Sequence, residues 1–177
     1  FGGPAIGDIR SRLVKLARAD LGDRDGGMVQ LMSLRLDATN ETVAELEWEE
    51  LLADRHPALA SLKQPEVRSA CVDVLRFFDR LKDERATARG LPAFALANGS
   101  VGNFLLIGLR FVLRGLQSAI EWVCSHAGVP PGATLLPSAA PPPGTSPWEY
   151  EEGPCIAAHL RNGAVLVGQN EISPPPQ

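Results

Sequence analysis

Between Pro65 and Gly90 the apolar residues Val67, Cys71, Val74, Leu75, Phe78 and Leu81 recur at helical spacing, and this stripe constrains the fold more than any other stretch. Residues so spaced share one face of an α-helix. The other face carries Arg68, Asp73, Arg76, Asp79, Arg80 and Lys82 and reads as a solvated surface of mixed charge rather than a basic site. A chain with such a helix must bury the stripe against another apolar surface.

Four further helices follow from the same spacing. Ile9, Leu13, Leu16 and Ala17 predict one from about Gly7 to Ala19, with Asp8 in the first turn, where a carboxylate complements the helix dipole. Val43, Leu46 and Leu51, set among Glu41, Glu45, Glu47, Glu49 and Glu50, predict a charged amphipathic helix over 40–52. Helices are also predicted from about Val101 to Leu113 and from about Leu116 to Ala127, the latter stopped by Gly128, Pro130 and Pro131.

Strand signals are shorter. Met28 to Leu36 alternates loosely and fits either a strand or a short helix, Phe94-Ala95-Leu96 is a short apolar run, and Thr134-Leu135-Leu136 is a plausible short strand. Pro137 to Pro147, with five prolines, is an irregular loop. Ile156, Ala158 and Leu160 alternate, as do Val165 and Val167, and Asn162-Gly163 between them is a hairpin signal. Helices interleaved with short strands point to α/β or α+β rather than a bundle.

Composition narrows the function. The chain has 177 residues, enough for one domain with a sizeable core, and its net charge of -4 with scattered basic residues argues against duplex nucleic acid as a partner. The longest apolar run, Phe104 to Leu116, is broken by Arg110 and Arg114 and is shorter than the roughly 20 residues of a membrane span, so it reads as a buried helix. Cys71, Cys124 and Cys155 are odd in number and set in apolar surroundings, the pattern of reduced structural thiols in a reducing compartment. His56, His126 and His159 are dispersed and do not suggest a closed zinc site. The chain opens on Phe1 and reads as a fragment, without the charged and apolar regions of a secretory signal.

Two segments could carry chemistry. Asn98-Gly99-Ser100-Val101-Gly102-Asn103 runs into an apolar helix, and a glycine-containing loop there can bind an anion through free N–H groups and the helix dipole. The spacing is neither that of a Walker loop nor that of the dinucleotide fingerprint, and Ser100 as a helix cap with Gly102 as a packing glycine explains it equally well. Gly7-Asp8-Ile9-Arg10-Ser11-Arg12 crowds a carboxylate and two guanidiniums into a first helical turn, where Arg10 can clamp phosphate or carboxylate, or Asp8 can simply cap. Asp23-Arg24-Asp25 offers oxygen ligands for Mg²⁺ without calcium-loop spacing. No nucleophile–base arrangement can be assembled from local sequence.

In order, Gly3-Pro4-Ala5-Ile6-Gly7-Asp8-Ile9-Arg10, then Gly99-Ser100-Val101-Gly102-Asn103-Phe104-Leu105, Ile120, Leu136-Pro137 and Gly163-Ala164-Val165-Leu166-Val167-Gly168-Gln169 resemble the CofD/YvcK family. The resemblance spans nearly the whole chain. It implies a single, N-terminally incomplete domain with a Rossmann-like α/β fold, a helical insertion over 40–89, a proline-rich loop over 137–153 and a C-terminal β-hairpin. One branch of that family transfers a phospholactyl-type group from a guanylated donor to a deazaflavin with Mg²⁺. The other binds nucleotide sugars such as UDP-N-acetylglucosamine and regulates carbon metabolism.

On this resemblance Asn98, Gly99, Ser100, Gly102, Asn103, Gly7, Asp8 and Arg10 would hold the phosphate. The Mg²⁺ carboxylate is expected ahead of Phe1, with no metal ligand and no assigned catalytic base in this chain. The expected partner is a phosphate-bearing small molecule, a nucleotide or nucleotide sugar, with a homodimer among the possible assemblies and neither nucleic acid nor membrane involved. The expected compartment is the cytoplasm or an organellar stroma or matrix, without secretion.

Overall fold

The computed structural model describes residues 6–21, 26–129, 157–160 and 163–167. The chain divides into two units, Ala5–Pro137 and a second made of Ser138–Gln177 with Phe1–Pro4. In the first, the described residues form α1 (Ile6–Leu21), α2 (Gly27–Ser33), α3 (Glu41–Leu52), α4 (Pro57–Ala60), α5 (Pro65–Arg89), α6 (Val101–Val112) and α7 (Leu116–Ala127). In the second they form β1 (Ala157–His159) and β2 (Val165–Val167).

Local chemistry sets the helix limits. Asn40 caps α3 by accepting from the Thr42 and Val43 N–H groups. Pro65 opens α5, where its missing N–H costs nothing, and Gly90 at φ 61° closes it in the left-handed conformation. Gly128, at φ 71°, ends α7 in the same way.

Helix α6 lies at the centre, packed against α1, α2, α5 and α7. Eight of its twelve residues are buried, which fits a helix that is apolar nearly all round. Gly108 is required by the α5 contact, because a Cβ there would come within 2.9 Å of the Val74 carbonyl oxygen. The predicted stripe of α5 faces inward through Val67, Cys71, Val74, Leu75 and Phe78, all buried. Phe78 stacks on Phe104 of α6 with centroids 4.7 Å apart, and Trp48 of α3 meets Phe104 edge-on at 5.5 Å. Trp48 Nε1–H donates to Asp79 Oδ1 at 2.8 Å, so the one polar atom of this buried indole is satisfied.

In the second unit β1 and β2 pair antiparallel, Ala158 opposite Leu166. Gly163, at φ 84°, donates to the Leu160 carbonyl at the turn.

The Rossmann-like α/β expectation is overturned. The described residues are overwhelmingly helical, and their strands are these two three-residue segments, with no parallel sheet among them. The stretch that fitted a strand or a short helix contains the helix α2, whose Met28, Val29, Leu31 and Met32 are all buried. A short apolar run has no period to distinguish strand from helix, and here packing against α1, α4, α6 and α7 decides it. Phe94-Ala95-Leu96 forms neither helix nor strand. Thr134-Leu135-Leu136, Asp23-Arg24-Asp25, the loop over 137–153, Ile156 and Asn162 lie outside the described residues. Among the described residues, no helix is long and apolar enough to cross a membrane.

Candidate functional site

The loop before α6 is held from two sides. On one, Leu34–Asp37 runs alongside it: Val101 N–H donates to the Leu34 carbonyl, Leu36 N–H to the Gly99 carbonyl and Asn98 N–H to the Asp37 carbonyl at 2.7 Å, with Arg35 and Ser100 bridged antiparallel. On the other, the Glu41 carboxylate accepts from the Leu96 and Ala97 N–H groups at 2.5 and 2.9 Å. The loop is thereby fixed to α3 and to the segment that follows α2. Asn98 takes the left-handed conformation, φ 57°, which asparagine tolerates better than most residues.

This framework brings distant residues together. Gly7 of α1 lies beside Asn103 of α6, whose Nδ2 is 3.8 Å from the position a Cβ on Gly7 would occupy. Arg10 of α1 crosses Gly102: a Cβ there would meet the Met32 backbone and come within 2.9 Å of Arg10 Cδ. Arg10 Nη1 donates to the Met32 carbonyl at 3.1 Å. Arg35 Nη1 donates to the Asn98 carbonyl at 2.9 Å and to Asn98 Oδ1 at 3.3 Å. Burial, and after it the like charge of Arg35, pull the Arg10 pKa below its ordinary value.

Sequence reasoning missed Arg35. It lies in the run from Met28 to Leu36 whose conformation was left open, and its only local signal is a charge at the end of an apolar stretch. Asp8 lies exposed in the first turn of α1, and Arg12 is exposed as well.

The glycines of the loop serve packing. A Cβ on Gly99 would come within 2.6 Å of the Leu96 carbonyl oxygen and of the Phe104 ring, and Gly102 admits the backbone of α2. The amides are not an open cradle either, since Val101 N–H is bonded to Leu34 and the Asn103 and Phe104 N–H groups share the Ser100 carbonyl. Side chains carry the unspent capacity. Ser100 has the extended backbone of an N-cap but makes no side-chain cap bond; it is 4% exposed, and its buried Oγ has no partner. Arg10 Nε and Asn103 Oδ1 are buried and unpartnered too. Each such atom costs about 1–3 kcal/mol if left unsatisfied, and three of them converge on one helix N-terminus.

The nearby carboxylates are already used. Asp37 Oδ1 accepts from Thr39 N–H, Thr39 Oγ1–H and Asn40 N–H, and the Thr39 and Asn40 amides hold its pKa below the usual carboxylate value. Glu47 Oε2 accepts from Asp37 N–H, and Glu41 is bound to the loop. Among the described residues, neither Arg10 nor Arg35 forms an ion pair. Two guanidiniums therefore share the positive end of a helix without an acidic partner, which is the electrostatics of an anion site.

A second concavity, a cleft of about 370 Å³, is lined by Asp54, Pro65, Arg68, Ser69 and Arg76 among others. Its arginines are occupied: Arg68 Nε pairs with Asp54 Oδ1 at 2.6 Å, and Arg76 Nε donates to the Leu52 carbonyl at 2.9 Å. No group of His, Cys, Asp and Glu among the described residues is arranged to hold a metal ion. The Mg²⁺ carboxylate implied by the resemblance was placed ahead of Phe1, so these residues do not bear on it.

The chain is 31% identical over 176 residues to an uncharacterized Saccharomyces cerevisiae protein, YNL011C. The match covers 98% of this chain and 35% of that protein, so the chain spans about a third of its relative's length. No family model matches the chain, and no solved structure matches it. The resemblance to the CofD/YvcK family is therefore corrected: no family match supports it, and the helical architecture is not the Rossmann-like domain it implied. The transferase, nucleotide-binding, UDP-sugar and magnesium assignments came with that resemblance and have no other support.

Proposed function

We propose that this chain is a ligand-binding domain that takes a phosphate-bearing small molecule at the N-terminus of α6. The observation that carries the reading is the buried, unpartnered Ser100 hydroxyl at the start of α6, with Arg10 and Arg35, neither ion-paired among the described residues, at the same helix end. A tetrahedral oxyanion would supply the anionic acceptor that both guanidiniums lack among the described residues and accept from the Ser100 hydroxyl. A half-turn of the Asn103 amide presents Nδ2 to it in place of Oδ1. Turnover is not part of the proposal, because the transfer reading rested on the resemblance.

A small molecule is favoured over nucleic acid because the chain is net acidic, -4, and the basic cluster is local. A reducing compartment, cytoplasm or organellar matrix, is favoured because Cys71 and Cys124 are free thiols.

Thermal unfolding tests the reading. Inorganic phosphate and pyrophosphate should raise the Tm of the chain in a saturable way, by mass action on the native state. Ser100→Ala and Arg10→Met should abolish the saturable part while keeping the helical circular dichroism. Equal rises in all three proteins would reduce the effect to general salt stabilisation and end the proposal.

A further inference from the structure

We infer that this site selects by ligand charge, preferring the dianion of a phosphomonoester to a monoanionic diester, and that Arg35 sets that preference. The inference rests on the anion-binding reading above. A monoanion balances one of two neighbouring guanidiniums and leaves the other repelled by the helix end, whereas a dianion balances both.

The two arginines differ in what else they do. Arg10 is half-buried, lies across Gly102 and is bonded to the Met32 carbonyl, so it holds α1, α2 and α6 together as well as offering charge. Arg35 is exposed, and its bonds among the described residues run from Nη1 to the oxygens of one residue, Asn98. Its Nε and Nη2 donors are left for an incoming oxyanion, and a guanidinium fork presents them in fixed geometry. Asn98, held at φ 57° and tied to Asp37 through its own N–H, anchors one arm of that fork to the loop that leads into α6. Arg35 also pairs with Ser100 across the antiparallel bridge, which fixes its backbone beside the start of α6. Removing the Arg35 charge therefore takes away half of the positive charge and little of the packing.

The test compares methyl phosphate with dimethyl phosphate at about pH 8, where the monoester is a dianion, its second pKa being about 6, and the diester a monoanion. Titrations are followed by calorimetry and by NMR shifts of the arginine Nε–H groups. Wild type should bind methyl phosphate at least about tenfold more tightly than dimethyl phosphate, and sulfate, also a dianion, should bind comparably to the monoester. Arg35→Gln should bring the ratio of the two esters to within about twofold while both still bind, and Arg35→Lys should largely keep it. Equal binding of the two esters by wild type, or an equal loss of both in Arg35→Gln, overturns the inference and leaves the anion site standing. Failure of every anion to bind removes the site as well.

Discussion

Two pairs of arginines lie at opposite kinds of helix end. Arg68 and Arg76 of α5 reach the C-terminus of α3, where the dipole is negative: Arg68 bonds the Asp54 carboxylate and carbonyl, and Arg76 the Leu52 carbonyl. Arg10 and Arg35 stand at the N-terminus of α6, where the dipole shares their sign, and bond only carbonyl and amide oxygens among the described residues. The first pair closes a structural account, since each of these arginines meets a carbonyl that the end of α3 leaves open and Arg68 a carboxylate as well. The second leaves one open: like charges, three buried unpartnered atoms and neighbouring carboxylates already engaged. Arginine content alone does not mark a site; arginine without an acidic partner at a helix start does.

The largest test of this contrast is Gly102→Ala. Its Cβ would press on the Met32 backbone, and overpacking of this kind costs about 1–3 kcal/mol, read as a lower urea midpoint. Unchanged stability would mean that α2 and α6 are not in close contact beneath the site. Arg68→Met comes next: losing the Asp54 pair and the carbonyl bond should cost about 1–2 kcal/mol in the same assay. If it costs nothing, the satisfied pair is no more structural than the unsatisfied one.

The two N-caps give a finer comparison. Asn40→Ala removes two side-chain acceptor bonds from the start of α3 and should cost about 1 kcal/mol. Ser100→Ala removes a hydroxyl that caps nothing, so ligand-free stability should hold or rise slightly, while the phosphate-dependent rise in Tm disappears. The smallest effect is expected for Arg35→Met, within about 0.5 kcal/mol in the free protein, because the side chain is exposed and its two bonds go to one neighbour. A clear loss of stability there would make Arg35 a brace for the loop rather than a reserved donor.

Five of the seven described helices were legible because their signals are local. The stripe from Val67 to Phe78 names the buried face of α5, Asn40 names the start of α3 and Gly128 the end of α7, each through bonds within a few residues. Met28 to Met32 and Phe94 to Leu96 are too short for period to decide between strand and helix, and the parallel sheet that the family resemblance implied is not found among the described residues. At the candidate site the loop from Asn98 to Asn103 and the turn from Gly7 to Arg10 stood out by composition. The roles of their glycines did not, since a packing glycine and a ligand glycine look alike until the neighbouring backbone is seen.

The sequence by itself determined where the chain coils, which faces are apolar and that its charge is dispersed, because periodicity, capping and composition act over a few residues. Only the tertiary structure decided that Arg35 meets Asn98, 63 residues away, that Arg10 crosses Gly102, and that Ser100 is buried without a partner. Those contacts depend on how α1, α2 and α6 pack, and unsatisfied groups become visible only once every possible partner has been placed.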